Sequence, residues 1–347
     1  MLFCLLQACE RQKADNTFPK KLVVNVGINI ADTVPFPKRN PFSEEGVLLG
    51  RMLFYDPVLS ANNQISCATC HQQSLAFTDG LALSDKGATS KPLFRHVPAL
   101  INLAWNDGLF WDGGAKNIES LAFAPLTHPD EMAQDIIELI KELETRLDYK
   151  TRFKKVFGKD TIHSAFIVRA LAQFQRTLIS DNAKYDQFMR KENGVVFSEL
   201  ELKGMQLFEQ KCSACHSGQF FTDFSYHNNG LDATFPTEPE HMGQGRARVT
   251  LAPDDLGRFK TPTLRNVMLT TPYMHDGRFK TIEEVLAHYD ENTVYSETLD
   301  TLLINEEQRL GIPLSETEKR AIEAFLYTLT DYEFISDTTL SNPFSSF

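Results

Sequence analysis

Apolar side chains recur at helical spacing along most of this chain, and a capping residue stands ahead of several of the stretches. Ser43 can cap a helix whose apolar face is Leu48, Leu49, Met52 and Leu53. Met132, Ile136, Ile137, Ile140, Leu143 and Leu147 keep the same period, which predicts a helix opening near Asp130. Phe166, Ala170, Leu171, Phe174 and Leu178 predict another over 162–179. Ser198 can cap a helix carrying Leu202, Met205 and Phe208, and a short helix is expected over 281–289. Over 315–329, Ser315 and Glu318 match a capping box ahead of Ile322, Phe325, Leu326 and Leu329. The stretch 22–30 reads instead as a β-like edge segment behind a polar tether. Two stretches lack a period: 181–196, which contains Asn193-Gly194 and reads as a linker, and 217–266, a long loop rich in Gly, Pro and Asn.

The helices expected after Ser43 and Ser198 both run toward the same signature. Cys67-Ala68-Thr69-Cys70-His71 and Cys212-Ser213-Ala214-Cys215-His216 each spell C-x-x-C-H, the attachment sequence of a c-type haem. Two thiols on one turn reach the haem vinyl groups, and the imidazole that follows becomes the proximal iron ligand. The two copies account for four of the six cysteines, so no structural disulfide is expected. A four-cysteine zinc site would set its pairs roughly 15 to 20 residues apart, and a thioredoxin-like pair would need a βαβ context. The chain offers neither.

The predicted fold is therefore mainly α: two cytochrome c-like helical domains, each with one covalent c-type haem. The first haem domain spans 42–185 and the second 186–347, behind a tether over 10–41. A loop as long as 217–266 is usually functional or wraps a ligand, and here it is expected to cover one haem face.

A chain of 347 residues has room for two such cores. The net charge of −11 argues against nucleic acid and suits either plain solubility or the steering of a small basic electron carrier. No apolar run reaches the ~18 residues of a membrane-crossing helix. Residues 1–9 are apolar and give way abruptly to charge, like the tail of an export signal, although a chance apolar leader would look the same. Leu6-Gln7-Ala8-Cys9 resembles a bacterial lipobox, which makes Cys9 a candidate lipid anchor and the expected location periplasmic. A homodimer is left open.

Four further segments carry a resemblance that covers about residues 41–329. Phe110-Trp111-Asp112-Gly113, Pro125 followed by Asp130-Glu131-Met132, Lys260-Thr261-Pro262-Thr263-Leu264-Arg265-Asn266, and Pro272-Tyr273-Met274-His275-Asp276-Gly277 are similar to segments of the bacterial di-haem cytochrome c peroxidases and MauG proteins. The resemblance implies that the first haem binds peroxide and the second relays electrons, with His71 and His216 as proximal ligands. It implies that Trp111 bridges the haems, that Glu131 moves the proton during O–O cleavage, and that Pro125 lines the same pocket. Taken alone, Trp111 would be a core aromatic and Glu131 a first-turn helix carboxylate.

The departures from the family pattern are as informative. The glutamine that accompanies the glutamate in many members falls on Leu121, and the loop 72–94 has no histidine to block the first iron, so that haem is expected to be open. The resemblance implies a calcium site using backbone oxygens of Thr270 and Pro272, yet His96 stands where the family has an asparagine, and Ca²⁺ prefers oxygen. Fourteen residues beyond His275, where the peroxidases have a methionine ligand to the second iron, this chain has Tyr289, as in MauG; Met274 and His288 are rival ligands. A phenolate there favours the ferric state.

The expectation is an exported di-haem peroxidase that reduces hydrogen peroxide with electrons from a small cytochrome c or copper protein. A MauG-like oxidase acting on a partner protein and a non-enzymatic di-haem electron carrier are the alternatives.

Overall fold

In the computed structural model, which describes residues 19–30, 33–238 and 241–345, the chain is mainly α, as its periodicity predicts. The helices of the first half are α1 (Glu44–Tyr55), α2 (Cys67–Cys70), α3 (Ile118–Leu121), α4 (Phe123–Thr127), α5 (Ile136–Thr145), α6 (Leu147–Phe157) and α7 (Ser164–Gln175). There follow α8 (Lys184–Met189), α9 (Glu199–Lys211), α10 (Ala247–Thr250), α11 (Ile282–Glu291), α12 (Glu316–Tyr327) and α13 (Tyr332–Ser336). Two short strands, β1 (Tyr226–His227) and β2 (Phe259–Lys260), pair antiparallel.

The expected caps are in place. Ser43 accepts from the Gly46 N–H at 3.1 Å, and Ser198 and Ser315 form capping boxes with Glu201 and Glu318. These caps start α1, α9 and α12, and the core is built on two crossings, α1 over α7 and α9 over α12. In the first, Phe54 of α1 meets Phe174 of α7 edge-on at 5.2 Å; in the second, Phe208 of α9 meets Phe325 of α12 at 5.1 Å. Leu49, Leu53 and Leu171 fill the first core, and Leu207, Ile322 and Leu329 the second. Burying such side chains stabilises by roughly 1.5–3 kcal/mol each.

Several expectations change. The helix predicted from Asp130 starts at Ile136, because the Asp135 carboxylate accepts from the N–H groups of Ile137 and Glu138 and so caps it there. Ahead of it Ala133 has a φ of +51° and Met132 sits buried in a turn; behind it Arg146 is extended and divides α5 from α6. Ile137 and Leu147, expected on the apolar face, are 65% and 77% exposed. The linker expected over 181–196 contains α8, which is held by a fully buried pair between Asp186 and Arg265. The stretch 22–30 forms no strand: Leu22 N–H donates to the Phe42 carbonyl, and Gly27 N–H to the Asp181 carboxylate. The lipobox and Cys9 lie outside the described residues, among which no helix is long and apolar enough to cross a membrane.

The segment after α12 returns to the first core. Phe334 packs on Phe77 at 5.5 Å, the Gln73 amide donates to the carbonyls of Phe334 and Asp337, and Arg51 donates to those of Thr338 and Ser341.

Candidate functional site

The α1 and α9 helices each lead to a C-x-x-C-H turn, and both turns open onto one cavity of about 1060 Å³. Cys67, Cys70 and His71 line it on one side, and Cys212, Cys215 and His216 on the other. After each turn the backbone bends sharply, through Ala76 and Phe77 (φ +52° and +63°) and through Phe221 (φ +52°). The bend brings a carbonyl back to the histidine: His71 Nδ1 donates to Phe77 O at 2.7 Å, and His216 Nδ1 to Phe221 O at 3.0 Å. This fixes the tautomer and leaves each Nε2 as the free lone pair. Burial lowers the pKa of both imidazoles, which keeps them neutral, the state that binds iron.

The surroundings fit two haems. Apolar side chains dominate the walls, and the lysines and arginines among them are Arg95, Lys211, Arg248, Lys260 and Arg265. The buried Arg95 Nε has no partner among the described residues, and burial pushes the Lys260 ammonium down to about 8, a penalty that a haem carboxylate would relieve. Cys67 and Cys212 supply one thiol of each turn and Cys70 and Cys215 the other.

Trp111 reaches the same cavity and is gripped from both halves. Its Nε1–H donates to His96 O at 2.8 Å, and its carbonyl accepts from Lys260 N–H at 2.7 Å. The next residue, Asp112, is fully buried and takes Arg95 at 2.9 Å and Arg248 at 2.6 Å. Leu121 at the end of α3, Pro125 in α4 and Glu131 in the turn after α4 line the cavity too, so the structure brings these four positions into the cavity that the two motifs share. Glu131 precedes the Asp135 cap and is not a first-turn helix residue. Its carboxylate is 3.9 Å from His128 Nδ1, and burial raises its pKa against the opposing pull of that imidazole. His128, also on the cavity wall, was not singled out by sequence; its only signal is its place three residues before Glu131.

On the second side, Tyr289 and Met274 both face the cavity, and the Asn229 amide touches both, at 3.3 Å to the phenol oxygen and 3.4 Å to the sulfur. Burial raises the Tyr289 pKa to about 12. His288 is turned away, its Nε2 against Asn229 O at 2.9 Å, and it is not on the wall.

Thr270 and Pro272 line the cavity as well, but the side chain of His96 supplies no oxygen at its position. Its Nδ1 donates to Leu81 O at 2.8 Å. The donor set does not match Ca²⁺, which takes about six to eight oxygens.

Gln175, the last residue of α7, lines the cavity unforeseen by sequence.

The di-haem cytochrome c peroxidase family model matches residues 44–194. The methylamine utilization protein MauG of Methylorubrum extorquens is 37% identical over 301 residues, 86% of this chain and 82% of that protein. The cytochrome c551 peroxidase of Nitrosomonas europaea is 34% identical over 298 residues, 85% of this chain and 83% of that protein. Among solved structures, a MauG-like protein associated with microbial copper homeostasis superposes with a TM-score of 0.81 at 32% identity, covering 89% of this chain and 96% of that one. The di-haem peroxidase BthA of Burkholderia thailandensis gives 0.71 at 20% identity, covering 94% of this chain and 97% of that one, a likeness of fold. With peroxidase and MauG relatives above 30% identity over more than four fifths of its length, this chain belongs to the di-haem cytochrome c peroxidase family and is an oxidoreductase of that type.

Proposed function

We propose that the protein reduces hydrogen peroxide to water in the chamber of His71, drawing two electrons and two protons per peroxide, with the electrons passed on from the chamber of His216. The haems supply the electron transfer and the iron that polarises the O–O bond. Glu131 takes the proton from one peroxide oxygen and returns it to the departing one, so that water leaves and not hydroxide. The observation that carries this is the Glu131 carboxylate on the cavity wall, with a raised pKa and, among the described residues, no closer ionic partner than His128 at 3.9 Å. Pro125 and Leu121 give that chamber an apolar wall, and Trp111 conducts between the chambers. Tyr289 would hold the iron of the second haem through its phenol oxygen, with Met274 its remaining rival.

The electrons come from a small cytochrome c or copper protein outside the cytoplasm, in the periplasm. A second reading, in which peroxide equivalents oxidise a residue of a partner protein, is favoured by Tyr289, since phenolate ligation suits sharing oxidising equivalents between haems better than waiting reduced. A mere electron carrier would leave Glu131 without a task. Peroxide reduction is measured with reduced cytochrome c as donor, and in parallel with peroxide and no donor. Rapid donor oxidation is the expected result; a persistent doubly oxidised protein with no donor turnover overturns the first reading for the second.

A further inference from the structure

The two helix crossings correspond residue for residue. Gly50 meets Ala170 as Gly204 meets Ala321, and Phe54 meets Phe174 as Phe208 meets Phe325. One step further along the inner helices, Gln175 corresponds to Leu326, and both face the cavity. Each is only 5% exposed. The second chamber thus has a leucine where the first has an amide.

Among the described residues that amide has no hydrogen-bond partner. Gln175 Oε1 is buried and makes no hydrogen bond among the described residues, whereas the polar residues on either side of it are engaged: Gln173 of α7 with Ser43 and Asn40, and Arg176, just past α7, with Glu119. An unpaired buried amide costs free energy that leucine would not, so its place calls for a partner within the filled cavity. The Arg176–Glu119 pair ties the end of α7 to α3, the helix that ends at Leu121 and begins the wall with Pro125 and Glu131. Haem carboxylates are charged and are served by Arg95, Arg248 and Lys260. A neutral amide in a cavity lined also by Leu100, Ile101 and Leu121 suits a neutral, hydrogen-bonding molecule.

We propose that the Gln175 amide, at the end of α7, is a second polar contact for peroxide in the first chamber, working with Glu131 of the turn after α4. This rests on the assignment of peroxide to that chamber. The amide holds the substrate by donating from Nε2 and accepting at Oε1, and Glu131 alone moves the proton.

Cyanide, a small ligand that accepts a hydrogen bond, probes the chamber in the ferric holoprotein. Gln175→Leu, which copies the second chamber, is expected to weaken cyanide binding about tenfold, the loss of one such bond, and to alter the high-spin EPR signal while the low-spin signal stays. Gln175→Met, close in length and without the amide, should do the same if the leucine variant loads haem poorly. Unchanged cyanide affinity with a raised melting temperature would show the amide to be an unpaired burden, and overturn the proposal. Unchanged affinity with a shifted reduction potential would assign it to a haem carboxylate, and overturn it equally. If the unsubstituted protein binds no cyanide, the open first chamber itself is wrong and the proposal falls with it.

Discussion

Gly50 stands so close to Ala170 that a Cβ built on it would lie 1.9 Å from the Ala170 carbonyl oxygen. Gly204 repeats the contact, 1.8 Å from the oxygen of Ala321. Each haem motif follows one of these glycine-bearing helices. Gly50→Ala should therefore destabilise the protein in spite of alanine's helix preference of about 1 kcal/mol, because overpacking a close crossing costs about 1–3 kcal/mol or more. Gly204→Ala should act alike on the other half. Thermal unfolding of the holoprotein measures both, and an unchanged or raised midpoint counts against the close-packed crossing.

Glu131→Gln should lower peroxide turnover by about 10²–10⁴-fold with both haems still attached. The acting form is the carboxylate, and burial raises its pKa. Activity should thus fall as pH drops through a value above the ordinary glutamate range of about 4.3, and Glu131→Gln should lack that acid limb. A parallel pH profile in the variant would remove Glu131 from the proton path.

Tyr289→Phe should change the low-spin EPR signal and raise the potential of the second haem, while the high-spin signal stays. Because the Asn229 amide touches both Tyr289 and Met274, Met274→Leu is the companion variant. A spectrum altered only by Met274→Leu would pass the ligand role to the thioether.

Asp186 and Arg265 are both fully buried at 2.8 Å, and Asp186 also accepts from Asn29 and from the Ala183 N–H. Asp186→Ala leaves a guanidinium buried without its partner and should cost about 3–5 kcal/mol, read from denaturant unfolding. A loss under 1 kcal/mol would mean that water reaches Arg265.

Period and caps make much of this fold legible, since Ser43, Ser198 and Ser315 begin helices where their spacing from the apolar faces says they should. The same rules fail where a local contact outweighs the period. Asp135 offers its carboxylate to two N–H groups and starts α5 at Ile136, six residues after Asp130, although the apolar spacing continues back to Met132. The α8 helix is too short to show a period and depends on Arg265, 79 residues away. The cavity is legible in part. C-x-x-C-H marks both turns, but nothing local distinguishes His288 from Tyr289, whose directions depend on Asn229. Gln175 is hidden for the opposite reason, as a polar residue within an apolar run whose exposure to the cavity arises only when α7 crosses α1.

The return of residues 332–341 to the first core has a consequence for the order in which the molecule is made. Phe77, whose carbonyl holds His71, is covered by Phe334, and Gln73 and Arg51 are tied to carbonyls between Phe334 and Ser341. On a chain emerging from its amino end, the first haem turn appears more than 250 residues before the segment that covers it. The earlier of the two haem turns to be synthesised therefore depends for its cover on one of the last segments made, and its back cannot be closed by α13 until nearly the whole chain is present.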